Sequence, residues 1–154
     1  MLDLIGETIV STYRYNVSLR LTHPTADPDT FSAALGLEPR FTDIAGQPRV
    51  RKGKQLDYVA KETYWTHQFD ASHSPIDVEA FLLVTARRLA SHKDLFSDIR
   101  SAGGRIEFFV GFFPEEFNCG FELTPELQQL CADLGIALAF DVYGFDSGQG
   151  KMSN

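Results

Sequence analysis

Four sets of side chains in this 154-residue chain are of types that do chemistry. The first is His67-Gln-Phe-Asp70-Ala-Ser-His73, two imidazoles and a carboxylate that would suit a divalent metal if the chain doubled back on itself. Extended, the two histidines stand roughly 20 Å apart, and neither a His-x-x-x-His nor a Cys-x-x-Cys spacing accompanies them, so no metal site is expected. The second set is Arg49, Arg51, Lys52 and Lys54, the one basic cluster, which suits an anion or simply a solvated loop. The third is Glu115-Glu116, a carboxylate pair in a turn, where acid–base work competes with plain hydration. The fourth is the two cysteines. Cys119 and Cys131 have no histidine beside them in sequence, and no Gly-x-Ser-x-Gly elbow offers a serine instead.

Trp65 is the sole tryptophan, flanked by Tyr64 and His67. An indole offers a large apolar face with a polar tip, so it floors pockets and anchors interfaces as well as filling cores. The core is the ordinary place for it. If it lines a ligand pocket instead, Arg51 and His67 are the side chains expected beside it. No Gly-x-Gly-x-x-Gly or phosphate-loop pattern occurs, which disfavours nucleotide use, and no cofactor is expected.

The net charge of −7 is unevenly spread. Residues 1–105 are balanced, whereas residues 106–154 hold Glu107, Glu115, Glu116, Glu122, Glu126, Asp133, Asp141 and Asp146 against Lys151 alone. Such a surface repels phosphates, so nucleic acid is not an expected partner. It attracts a basic protein instead, with Glu115 and Glu116 as candidate contacts. Two cysteines are too few for a disulfide-stapled secreted scaffold. Asp3 and Glu7 stand where an export signal carries lysine or arginine, and no run of eighteen apolar residues occurs, so a cytoplasmic protein without a membrane span is expected.

These side chains need a scaffold, and the length suits one domain burying roughly 70% of the surface its unfolded chain exposes. The firmest element is Arg105–Phe113, apolar on both alternating faces between Gly103-Gly104 and Pro114. That pattern predicts an interior strand covered on both faces for part of its length. Residues 12–22 alternate Tyr13, Tyr15, Val17, Leu19 and Leu21 with polar residues, predicting a strand with one wet face. Asp27 and Pro28 open a short helix that Gly36 ends. Residues 62–69 read as a strand with Trp65, His67 and Phe69 on one side. Ser74-Pro75 opens a long helical stretch, with a break near Ser91-His-Lys-Asp94, which has the form of a capping box. Cys119–Leu123 reads as a strand, Thr124-Pro125 starts a helix that Gly135 ends, and 136–143 alternates as a final strand. Residues 1–11 are an N-terminal extension, 12–143 the domain and 144–154 a flexible tail. The order β-α-β-β-α-β with a further β-α-β predicts an α+β fold, ferredoxin-like, with an antiparallel or mixed sheet and helices on one face. Leu35-Gly36-Leu37 before Phe41 recurs as Leu134-Gly135-Ile136 before Phe140.

Leu35-Gly-Leu-Glu-Pro39 after a strand ending Leu-Thr-His, then Gly46, Trp65 and the closing run from Leu134 to Tyr143, resembles a bacterial domain-of-unknown-function family, number 4279. The likeness spans residues 13–143. It implies a single bacterial domain and carries over no catalytic residues. The functional expectation is a non-catalytic binding module that recognises a protein partner through its sheet or its acidic last third, an immunity-type protein against a basic toxin being one form. The alternative is a small-molecule-binding domain or enzyme with a pocket around Trp65, His67 and Arg51. Self-association through a sheet edge is a third reading.

Overall fold

The computed structural model describes residues 12–71 and 76–144. The N-terminal extension, His73, Ser74-Pro75 and the tail beyond Gly144 lie outside them. The chain runs β1 (Tyr13–His23), α1 (Asp29–Leu35), β2 (Phe41–Asp43), β3 (Pro48–Arg51), β4 (Lys54–Val59), β5 (Thr63–Phe69) and α2 (Val78–Leu89). A 3-10 turn (Ala90–His92) leads to α3 (Lys93–Ser101), β6 (Arg105–Pro114), α4 (Pro125–Leu134) and β7 (Ile136–Val142).

Five strands make one mixed sheet in the order β2-β5-β1-β6-β7, while β3 and β4 form a separate hairpin. Each neighbouring pair is antiparallel except β6 and β7. That pair is parallel because α4 carries the chain back to the end where β6 began. Helix α1 joins β1 to β2 with β5 lying between them, and α2–α3 joins β5 to β6 with β1 between.

Period-two alternation sorts the side chains into two layers. Val17, Leu19 and Leu21 of β1, Trp65 of β5 and Ile106, Phe108 and Val110 of β6 point to one face, where all are buried. Against them pack Phe31 and Leu35 of α1, Val78 and Leu82 of α2, Phe96 and Ile99 of α3, and Leu127, Cys131 and Leu134 of α4. All four helices of the described residues therefore lie on one side, as the alternation in β1 requires.

The opposite face explains why β6 reads as apolar on both sides. The guanidinium of Arg20 lies over Phe109, and Tyr143 stacks on Phe113 with centroids 4.5 Å apart. These aromatics are covered by single side chains from β1 and from the residue after β7, and among the described residues no helix lies over them.

Local chemistry sets the ends of the elements. Gly36 and Gly135 close α1 and α4 in the left-handed conformation at φ 65° and 68°, so the repeated Leu-Gly pair marks two equivalent helix stops. Thr124 caps α4 by accepting from the Leu127 N–H, with Pro125 following at the first helical position. Asp77 caps α2 by accepting from Ala80 at 2.8 Å. Asp27 accepts from the N–H of Asp29 at 3.0 Å, beside Pro28 in the capping position of α1.

Two local expectations are corrected. The break near Ser91 exists as the 3-10 turn, but α3 starts without a side-chain cap, so Ser91-His-Lys-Asp94 does not act as a capping box. Cys119–Leu123 is not a strand. β6 already has β1 on one side and β7 on the other, which leaves that segment no place beside β6.

Candidate functional site

Arg51 holds a place set by a buried carboxylate. Asp43, at the end of β2, is only 5% exposed. Arg51 donates to it through both terminal nitrogens, Nη1 to Oδ1 at 2.6 Å and Nη2 to Oδ2 at 2.9 Å. Arg49 adds Nε to Oδ2 at 2.9 Å and donates from Nη1 to the Tyr58 hydroxyl at 2.8 Å. Burial pushes the Asp43 carboxyl up, but the hydrogen bonds and charges of Arg51 and Arg49 outweigh it and hold it below the usual carboxylate range. The same hydrogen bonds raise the Arg51 guanidinium further above its ordinary value. Arg51 also lies over the Phe41 ring, 4.1 Å from its centroid. The basic cluster thus acts in part as a clamp that fixes the β3–β4 hairpin to β2.

Trp65 and His67 lie on the other side of the sheet. Register pairs Phe41 with Thr66 and Thr42 with Trp65, so Phe41 and Trp65 face opposite ways. Trp65 is fully buried among the helices, and its indole N–H donates to the Ser32 hydroxyl of α1 at 3.0 Å. The partly buried His67 ring packs edge-on against Phe69, and its Nδ1–H donates to the Glu38 carbonyl at 2.6 Å. It lines a cavity of about 450 Å³ with Glu38, Arg40 and Gln68. The structure brings Trp65 and His67 together and leaves Arg51 apart from both. His73 lies outside the described residues, and among those described no three histidine, cysteine, aspartate or glutamate side chains are placed to hold a metal ion.

Glu115 and Glu116 follow β6 in the turn that leads toward α4. The Glu115 N–H donates to the Thr12 carbonyl, and its carboxylate pairs with Arg14 at 2.7 Å. Glu116 is exposed and forms no ion pair among the described residues. Next comes Phe117, 96% exposed. Burial of such a side chain is worth about 1.5–3 kcal/mol, so this one leaves a large part of its apolar surface in water. Further along the segment Phe121 stacks on Phe140 at 5.3 Å and touches Phe112, while remaining partly exposed. Val142 and Tyr143 at the end of β7 are also exposed. Carboxylates adjoin each in sequence, Glu116 next to Phe117, Glu122 next to Phe121 and Asp141 next to Val142, and strand alternation turns Asp141 to the sheet face opposite Val142. The outer edge of β7 has no strand paired to it among the described residues. This end of the acidic last third, the acidic corner, thus carries exposed apolar side chains and carboxylates on the 115–123 segment and at the end of the β7 edge strand. The charge count pointed to this region, but nothing in the sequence marked Phe117 as an exposed aromatic.

A model of the domain of unknown function DUF4279 matches residues 12–145 of this chain. The chain belongs to the DUF4279 family. In this member the matched span takes in the whole described sheet, with the Asp43 clamp at one edge and the acidic corner at the other. No curated protein and no solved structure matches the chain. Among the described residues no helix is long and apolar enough to cross a membrane.

Proposed function

We propose that this DUF4279 domain is a non-catalytic binding module whose partner is a basic protein segment, held at the corner formed by the 115–123 segment and β7. The observation that carries this reading is Phe117, almost wholly exposed, which follows Glu116 and precedes Phe121, itself stacked on Phe140, in the same segment. Interfaces concentrate their affinity in a few aromatic anchors with a polar rim, and rim charge sets partner choice and association rate. A lysine-rich segment with alternating apolar residues satisfies both features, and its extended form suits the outer β7 edge, which pairs with no strand among the described residues. An immunity-type role against a basic toxin is one concrete form of this reading.

The same proposal extends to the fold. β1, α1, β2, β5, α2–α3 and β6 make a ferredoxin-like unit, supported by the order β2-β5-β1-β6 and by helical connections that each span an intervening strand. The β3–β4 hairpin and α4–β7 are then additions to it, and the acidic corner is built largely on the second.

The test uses a synthetic lysine–valine alternating peptide and its glutamate–valine twin, titrated into the whole chain by calorimetry. Binding of the basic peptide that weakens with salt and falls about tenfold or more in Phe117→Ser supports the reading. Equal binding of the acidic twin, or an unchanged affinity in Phe117→Ser, overturns it.

A further inference from the structure

At the opposite edge of the sheet, on its helix-free side, lies a cavity of about 450 Å³ whose lining includes Phe41, Asp43, Arg49, Tyr58, Lys61 and Tyr64. Its walls are aromatic. Phe41 and Tyr64 stand 5.6 Å apart at 30°, and Tyr58, half-exposed, closes a third side. Arg49 lies over the Tyr58 ring at 5.0 Å.

Arg49 is set in this cavity by two bonds. Nε is spent on Asp43 and one Nη1 hydrogen on Tyr58. No other acceptor among the described residues takes its remaining Nη hydrogens. The carboxylate that orients the guanidinium is buried and shared with Arg51, so the ordering of the arginine is achieved before any ligand arrives. Glu62 also lines the cavity and offsets one positive charge. Counting Arg49, Arg51 and Lys61 against Asp43 and Glu62, one unit of positive charge remains.

We propose that this cavity is a binding site for a small monoanionic aromatic molecule, an aryl carboxylate. Its carboxylate would accept from the Nη hydrogens of Arg49 that Tyr58 leaves unused, while its ring packs against Tyr64 and the part of Phe41 that Arg51 does not cover. A planar guanidinium matches a carboxylate in geometry as well as charge, and aromatic walls hold a flat ring with little loss of side-chain freedom. The volume falls within the range usual for small-molecule sites. The site is independent of the acidic corner, which lies across the sheet on β7.

The experiment is a nitrogen-15 NMR titration of the whole chain with benzoate and, separately, with neutral benzamide. Saturable shifts at Phe41, Tyr58, Tyr64 and the Arg49 Nε–H are expected with benzoate in the millimolar range or tighter. Benzamide should bind about tenfold more weakly or not at all. Arg49→Gln should abolish the benzoate shifts while the dispersed spectrum is retained. Should that variant lose the hairpin, Tyr64→Leu removes one wall while leaving Asp43, Arg49 and Arg51 themselves unchanged, and should weaken binding about fivefold or more. No saturable shift with benzoate, equal affinity for benzamide, or unchanged binding in Tyr64→Leu overturns the proposal and leaves Asp43 with its two arginines as a structural clamp only.

Discussion

The guanidinium carbon of Arg20 sits 3.4 Å from the centroid of the Phe109 ring, one strand away on the helix-free side of the sheet. Its Nη1 stands 3.9 Å from Glu107, while its Nε is buried without a hydrogen-bond partner. The side chain therefore gains by covering an aromatic ring and loses by leaving one donor dry. A cation over an aromatic face is worth about 0.5–2 kcal/mol, and an unsatisfied buried donor costs about 1–3 kcal/mol. The two roughly cancel, so what remains is the cover that the alkyl stem gives Phe109. Arg20→Met should leave the urea midpoint nearly unchanged, and Arg20→Ala should lower stability by about 1–2 kcal/mol. Equal loss in both variants would mean that the charge, not the cover, matters.

Trp65 joins the sheet to α1 through its bond to Ser32. Trp65→Ala removes the largest fully buried side chain and should cost about 3–5 kcal/mol in denaturant unfolding. Ser32→Ala leaves the ring in place and strands its N–H, for a loss of about 1–3 kcal/mol. In Trp65→Phe there is no N–H to strand, so adding Ser32→Ala to that variant should cost much less than it does in the parent chain. A double-mutant cycle with no coupling would show that the bond contributes nothing.

How far these relationships can be read from the sequence depends on their range. The strand alternation around Trp65, the helix stops at Gly36 and Gly135 and the Thr124-Pro125 start are local, and each is legible from a handful of neighbours. Asp43 is different. Nothing within the span from Phe41 to Gly46 says that this carboxylate is buried, because its partners Arg49 and Arg51 reach it only after the hairpin folds back. The same holds for Gly104, which reads as turn punctuation. A β-carbon there would clash with the backbone carbonyl of Thr22, so the residue also permits close approach of α3's exit to β1. Cys119–Leu123 shows the complementary case: its pattern is strand-like, but both sides of β6, the strand it follows, are taken by β1 and β7, which no local pattern reveals. At the candidate site the acidic third is plain from the distribution of charge, whereas the exposure of Phe117 is a tertiary property that leaves no mark in the sequence.

Asp43 should make the fold sensitive to acid. Its carboxyl titrates below the ordinary range in the folded chain, so the unfolded chain binds the proton more readily. The contribution is complete above the unfolded value of about 3.9 and is lost as pH falls through the lower folded value. Asp43→Asn should therefore destabilise the protein by about 2–3 kcal/mol at neutral pH and by less as acid protonates the parent. Denaturant midpoints measured from pH 7 down to pH 3 should converge for the two proteins, apart from the contributions of other carboxylates. Curves that stay parallel throughout would rule Asp43 out as the acid-sensitive group.

Cys131 lies on the buried stripe of α4, where loss of hydration pushes its thiol up to about 11. The thiolate is the reactive form, so little of it exists at pH 8, and the packed helix shields what there is. Cys119, on the segment after β6, is only half-buried. A disulfide reagent such as Ellman's should thus react with one thiol per folded chain quickly, and with the second only as the chain unfolds. Cys119→Ser should remove the fast phase and leave the slow one, whose rate should follow added urea. If the fast phase survives that substitution, α4 opens far more readily than its packing against α2 and β7 allows.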